Sequence, residues 1–323
     1  DYSWIIRRHR EHIMKVGFIG LGTMGASIAL NAIKGQNSLV VHDINREAAN
    51  PHLEIGAEWA SSPKEVAAQS DVVFTSLPGP NEVEAVALGE DGLMAGFATG
   101  TGSAYFDLST NSPTVMRRLH ATMQEKGVEV LDAPVSGGPD GAKSGKMAIW
   151  VGGDKSTFDK YKSVLDSMGD AARYIGPIGA GSIAKLVHNL SGYILGSALA
   201  ETFTMGVKAG LEPDALWEAV RQGALGRRRT FDTMHRNYLP QDFDPPNFAL
   251  QLARKDVALA CEVGREFDVP MKLAHTVLAE MTEAINRGWG HRDSRVAMML
   301  QNERAGVDIK VDSARLDEIV END

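Results

Sequence analysis

The stretch that decides the fold is KVGFIGLGTMGASIALNAIKG, Lys15 to Gly35. It opens as a short apolar run suited to a buried strand and closes as a helical pattern that Gly35 stops. Between the two stand Gly20, Gly22 and Gly25 in the spacing G-x-G-x-x-G. At a strand-to-helix turn the first glycine permits the tight bend. The second lets backbone approach a pyrophosphate, and the third lets the helix pack close to the strand. The helix that follows presents free N–H groups and a positive dipole end to phosphate. The setting makes the motif a dinucleotide-binding fingerprint rather than a chance match. The next strand, SLVVHD, ends at Asp43, where a carboxylate can bond an adenosine ribose and repel a 2′-phosphate. That points to NAD, while Arg46 a little further on keeps NADP open.

Working outward, short β-branched runs keep alternating with helical segments, the mark of a parallel α/β sheet. DVVFTSLP, SAYFDLS and VEVLDAP read as further strands, and KMAIWVGG closes the series. After YIGPIGAGS the chain turns to long helical segments with no convincing strand. The expected fold is a Rossmann-type doubly wound domain over residues 14–178 and an all-helical substrate and oligomerisation domain over 179–323, joined by a long helix that starts near Gly179. Residues 1–13 read as an extension ahead of Met14. The helix GAGSIAKLVHNLSGYILGSALAE is apolar enough to be read as buried, yet it carries Lys185, His188 and Asn189 near its start. Lys185 and Asn189, at i and i+4, share a face.

The composition narrows the function classes. With 323 residues, 43% hydrophobic and 23% charged, the chain has room for two ordinary globular domains. A formal net charge of −9 and the lack of a long basic block argue against nucleic acid as a partner. The single cysteine, Cys261, cannot close an intrachain disulfide, and no apolar run is long enough to span a membrane. These features fit a cytoplasmic protein. No His/Cys/Asp/Glu cluster has metal-ligand spacing, so no metal is expected.

Three more stretches join the fingerprint: DLSTNSP (Asp107–Pro113), DAPVSGGPDGAKSGKMAIWVGG (Asp132–Gly153) and GAGSIAKLVHN, with ARKDVALA (Ala253–Ala260) as a later addition. Consecutive backbone N–H groups in the Ser-Gly-Gly loop can form a concavity for an anion. In this order the motifs resemble the β-hydroxyacid dehydrogenase family, which includes 3-hydroxyisobutyrate dehydrogenases and tartronate semialdehyde reductases. The resemblance runs from Lys15 to about Arg295.

The resemblance implies a site in the cleft between the two domains. Lys185 matches the catalytic lysine and Asn189 the asparagine that orients substrate. Ser136, Gly137 and Gly138 match the loop that takes the substrate carboxylate, and Ser109 and Thr110 flank nicotinamide and substrate. Lys255 matches a lysine that closes over the site from the helical domain. Leu21, Thr23 and Met24, lying among the glycines, and Leu77 and Pro78, at the end of a strand, complete the cofactor-binding set. The implied reaction is NAD(P)-dependent hydride transfer to or from a small β-hydroxy acid such as 3-hydroxyisobutyrate. A lysine kept from bulk water beside the nicotinamide would have a lowered pKa and act as acid or base. The alternative substrates are tartronate semialdehyde and succinic semialdehyde. An imine reductase is disfavoured because those enzymes generally lack the lysine, and a non-catalytic cofactor-binding module is the rival of another class. A homodimer or homotetramer is expected from the apolar helical half.

Three places in the chain depart from the pattern. His188 stands where family members commonly have asparagine, and its expected role is packing beside the site. Lys146 replaces a small hydroxyl residue and is read as a solvated strand position. Arg227, Arg228 and Arg229 replace smaller residues in a segment that approaches the far end of the substrate. Successive arginines read first as a solvated surface, and the sharper alternative is that one of them binds a second anionic group, which an arginine fork suits. Phe231 and His235 lie on the same segment and are candidates for lining the pocket.

Overall fold

A computed structural model describes residues 14–34, 37–98, 103–227, 234, 236–266, 268–306 and 308–321. The extension at 1–13 and Arg228, Arg229, Phe231 and His235 lie outside the described residues.

The strands are β1 (Lys15–Ile19), β2 (Ser38–His42), β3 (Glu58–Trp59), β4 (Val72–Thr75), β5 (Ala104–Asp107), β6 (Glu129–Asp132), β7 (Val135–Ser136), β8 (Ala148–Gly152) and β9 (Ala171–Gly176). Between them run α1 (Gly25–Lys34), α2 (Asn50–Leu53), α3 (Pro63–Gln69), α4 (Pro80–Leu88), α5 (Leu93–Gly96), α6 (Pro113–Gln124), α7 (Gly138–Ser144) and α8 (Lys155–Met168). The sheet order is β3-β2-β1-β4-β5-β6-β8-β7, with β9 beside β8. From β3 to β6 every pair is parallel, the order of a doubly wound dinucleotide-binding sheet.

Strand residues point alternately to the two faces, and both faces are covered by helices. Phe18, Phe74 and Phe106 are paired neighbours on β1, β4 and β5 and lie in one fully buried cluster. Phe74 and Phe106 stack at 5.2 Å, and Tyr161 of α8 meets Phe106 edge-on at 5.9 Å. The opposite face buries Val73, Tyr105 and Val130 against Leu119 of α6 and Val83 of α4. Both cores are what the β-branched and aromatic runs demand.

The far edge departs from the sequence expectation of a parallel sheet. β8 pairs antiparallel with both β6 and β7, and then parallel with β9. β9 itself, AARYIG, went unread because its run is short and follows a Gly-Asp turn. Lys146 precedes β8 as an exposed residue of the turn that donates its N–H to Gly141 O, so it is not a strand position.

The second half is helical: α9 (Ala180–Lys208), α10 (Pro213–Gln222), α11 (Leu250–Glu266), α12 (Lys272–Ala284), α13 (Met299–Ala305) and α14 (Ser313–Glu321). Contacts divide the chain into two units, Asp1–Ser191 and Gly192–Asp323, so the division falls inside α9. Within the second unit Phe243, Leu250, Val296 and Leu300 form a small core. Beside it the fully buried Asp293 accepts hydrogen bonds from the backbone of Asn247 and from the Arg295 guanidinium.

The burial expected for α9 is not met. Ile183, Leu186, Val187, Ile194 and Leu199 are between 43 and 56% exposed. No helix among the described residues is long and apolar enough to cross a membrane.

Candidate active site

β1 delivers the chain to Gly20, and α1 leaves it at Gly25. A Cβ on Gly25 would run into the carbonyl oxygen of Gly20, so only glycine lets the helix start this close to the strand end. At Gly22 a Cβ would meet nothing within 4 Å, which leaves the open face of the turn free for a ligand. Leu21 is buried, and its N–H donates to Asp43 Oδ2 at 2.6 Å. Asp43 Oδ1 accepts from Asn45 N–H at 2.7 Å, so the carboxylate is held at the end of β2 beside the turn. Arg46 is engaged elsewhere: its guanidinium lies 4.4 Å over the Trp59 ring.

A cavity of about 700 Å³ opens over this turn. Its walls include Gly20, Gly22, Thr23, Met24, Gly25 and Asp43, together with Leu77 and Pro78. Its volume is that of a cofactor site. The open face at Gly22, the tight approach at Gly25 and the tethered Asp43 together fit a dinucleotide. Ile44, fully exposed in the same cavity, was not singled out from sequence. Its signal was its position next to Asp43: a large apolar side chain left in solvent at a ligand site.

The loop after β5 rests on a buried polar network. Thr75 Oγ1 donates to Asp107 Oδ1 at 2.8 Å and lies 2.9 Å from the Tyr105 hydroxyl. Asp107 also accepts from Ser109 N–H at 3.1 Å and from Asn111 Nδ2 at 2.8 Å. Burial raises the Asp107 carboxyl above its ordinary range, against the pull of these donors. Ser109 is buried, and its Oγ accepts from Leu77 N–H at 2.9 Å. Its side chain therefore fixes the Leu77–Pro78 wall of the cavity. Thr110 is the exposed residue of the pair.

Ser136 ends β7 half-buried, with Gly137 and Gly138 exposed beyond it. Both glycines take positive φ, 151° and 62°, which residues with side chains rarely adopt. Just upstream, Asp132 is 1% exposed and holds the start of α9. Its Oδ1 accepts from Gly179 N–H at 2.7 Å and its Oδ2 from Ser182 N–H at 2.5 Å. Burial raises this carboxyl too, opposed by the two N–H donors. A Cβ on Gly181 would collide with the carbonyl oxygens of Trp150 and Asp132, so the first turn of α9 sits directly on β6 and β8.

Lys185 follows that anchored turn by less than one helical turn, and Asn189 follows by one more; both are half-buried. Desolvation pushes the Lys185 pKa below the ordinary lysine value. His188 is exposed, packs its ring 5.3 Å from Trp150 and lies 3.2 Å from Asn189 Oδ1. The imidazole therefore steadies the neighbouring asparagine. Lys255 stands on α11. Arg227 is exposed. Among the described residues no group of His, Cys, Asp and Glu could hold a metal ion.

The profile of the NAD binding domain of 6-phosphogluconate dehydrogenase matches residues 15–176. That of the NAD-binding region of NADP-dependent 3-hydroxyisobutyrate dehydrogenase matches residues 179–309. The chain is 32% identical to 2-(hydroxymethyl)glutarate dehydrogenase of Eubacterium barkeri, over 93% of this chain and 98% of that protein. It is 33% identical to NAD-dependent L-serine dehydrogenase of Pseudomonas aeruginosa, over 88% and 97%. The crystal structure of 3-hydroxyisobutyrate dehydrogenase from Salmonella typhimurium superposes with a TM-score of 0.59 at 29% identity, covering 89% of this chain and 99% of that one.

Proposed function

The chain belongs to the β-hydroxyacid dehydrogenase family, and on that premise we propose that Lys185 is the acid/base of a hydride transfer between nicotinamide and a small β-hydroxy acid. NAD(P)-dependent hydroxyacid oxidoreduction is the activity of the family members this chain matches. The observation that carries the residue assignment is a lysine desolvated on a helix whose first turn is clamped to the sheet by Asp132.

The bound cofactor supplies the hydride acceptor or donor at its nicotinamide ring. In the oxidation direction neutral Lys185 Nζ accepts the proton of the substrate hydroxyl; in reduction the ammonium returns it. Asn189, one turn on, holds the same substrate end by hydrogen bonding. Ser136, Gly137 and Gly138 take the carboxylate, fixing the reacting carbon at the other end. Thr110 contributes its exposed hydroxyl beside them. Lys255 is carried as a cofactor-side lysine of the same enzyme.

The reading is tested by a panel of small hydroxy acids with NAD and NADP, followed at the reduced-nicotinamide absorbance. Turnover of 3-hydroxyisobutyrate or a near relative supports it. Tight cofactor binding with no turnover of any hydroxy acid or semialdehyde would favour the non-catalytic module instead.

NAD is the proposed cofactor, because the Asp43 carboxylate faces the site while Arg46 is stacked on Trp59. Ile44 would cover one face of the adenine. Asp43→Ala is expected to lower kcat/KM for NAD by about 10- to 100-fold, the value of a charge-assisted hydrogen bond, and to narrow the preference over NADP. An unchanged NAD/NADP ratio would show that Asp43 does not read the ribose.

A second reading of the substrate, a diacid, has two supports: the arginine run and the resemblance to a dehydrogenase named for a substituted glutarate. Alanine at Arg227, Arg228 or Arg229 should cost about 1.5–3 kcal/mol in kcat/KM for a diacid at the one position that binds the second anion. If every diacid stays within about twofold across the three variants, the arginines are surface charges.

The exposed apolar residues of α9, with Trp217 and Val220 of α10 at 55% and 53%, support a homodimer or homotetramer. Light scattering at micromolar concentration should give a mass of at least two chains, and a monomer would rule this out.

A further inference from the structure

We infer that the groove between α11 and α12 is a second ligand site, one that takes a linear dianion with carboxylate or phosphate ends and an apolar spine. The groove lies wholly within the helical unit, encloses about 670 Å³ and belongs to no part of the site described above.

The two helices run antiparallel in a fixed register, shown by two side-chain bonds. Arg254 Nε donates to Thr282 Oγ1 at 2.9 Å, and His275 Nδ1 lies 3.1 Å from Cys261 Sγ. Arg254 to Cys261 and Thr282 to His275 are equal steps along their helices, about 10 Å of rise. Between these two bridges the register brings Ala258 opposite Leu278 and Ala279. Two alanines facing each other leave the helices without side chains to fill the gap, and the gap is the cavity.

Its ends are cationic or donor-rich. Among the described residues Arg254 bonds only Thr282, through Nε, so its fork still presents the terminal nitrogens that suit a carboxylate or phosphate. His275 and Arg265 stand at the other end. Glu283 is the one acid among the described residues that line the groove. Its two oxygens are taken by Arg287 and Arg304, each at 2.6–2.7 Å, so it does not offset the arginines facing the cavity. Cys261 is buried, and burial raises its pKa, with Arg265 pulling it down and the nearby Glu201 carboxylate pushing it up, so a neutral thiol adds no negative charge. The Glu201 oxygens are taken by the N–H groups of Leu273 and Ala274. The arrangement is a slot with an apolar floor, with Arg254 at one end, His275 about 10 Å along it and Arg265 about one helical turn beyond.

Cys261 is the only cysteine in the chain, which makes its alkylation a report on this groove alone. The experiment measures the rate of iodoacetamide labelling of the full-length protein with succinate, adipate, suberate and sebacate, using acetate and sodium chloride as ionic controls. A bound ligand slows labelling by one plus its concentration over Kd, about tenfold when the ligand is at nine times Kd. The longer diacids should protect and acetate should not. Arg254→Gln and the cavity-filling Ala258→Leu should each abolish protection. Equal protection by acetate, none by any diacid, or protection that survives both substitutions overturns the inference. Where labelling is too slow to time, calorimetry of sebacate decides: the heat of binding must be present in the wild type and lost in Arg254→Gln, and its absence or persistence overturns the inference equally.

Discussion

Lys185→Ala is expected to lower kcat for hydroxy acid oxidation by about 10²–10⁴-fold, the usual worth of a positioned acid/base group, with the affinity for NAD nearly unchanged. The split follows from position. The fingerprint turn and Asp43 lie at the ends of β1, α1 and β2, and the loop after β4 and α4 supply the rest of the 700 Å³ cavity, whereas Lys185 stands on α9 beyond the clamp at its start. The pH dependence supplies the sharper test. Burial lowers the Lys185 pKa, because desolvation disfavours the ammonium. Oxidation needs the neutral amine, so its rate should rise with pH and level off below the ordinary lysine value of about 10.4. Reduction needs the ammonium and should fall over the same range. Lys185→Arg keeps the charge but cannot lose its proton near neutrality, so oxidation should fail in that variant as in the alanine one. If the arginine enzyme oxidises its substrate at more than a small fraction of the wild-type rate, a fixed positive charge is all the reaction needs, and another group moves the proton.

The elements that were legible in the sequence are those whose cause is local. A strand, a glycine turn and a helix in sequence announce β1 and α1, and the tight approach at Gly25 is the reason the spacing is fixed. Helical periodicity places Lys185 and Asn189 on one face, while the roles proposed for them come from the family resemblance. The antiparallel β8 and the strand β9 were not, since nothing in a short apolar run records the direction of its neighbour. Periodicity also misjudged α9: an apolar helix reads as buried, yet its apolar residues stand exposed in a single chain. Asp107 and Asp132 were passed over for a related reason. Each looks like an ordinary acid at a strand end, but Asp132 meets N–H groups 47 and 50 residues downstream. No spacing rule reaches that far.

Asp132 is where this long-range contact should tell most. Asp132→Ala leaves two N–H groups at the start of α9 buried without acceptors, at a cost of about 1–3 kcal/mol each. It also removes a negative charge from a helix N-terminus, where one is stabilising. The expected result is a loss of roughly 2–6 kcal/mol in unfolding free energy and a fall in kcat, because the turn that carries Lys185 is no longer seated on β6. Asp132→Asn separates seating from charge. Its amide oxygen can accept one of the two N–H bonds while its NH₂ faces the other donor, so it should recover part of the stability and of the rate. Denaturant unfolding and steady-state kinetics on the same samples check both. If the alanine variant loses stability but turns over at the wild-type rate when folded, Asp132 serves the fold alone, and the seating of α9 does not govern Lys185. If rate and stability fall together and asparagine rescues both in part, the carboxylate between β6 and α9 is what positions Lys185 for its proposed role.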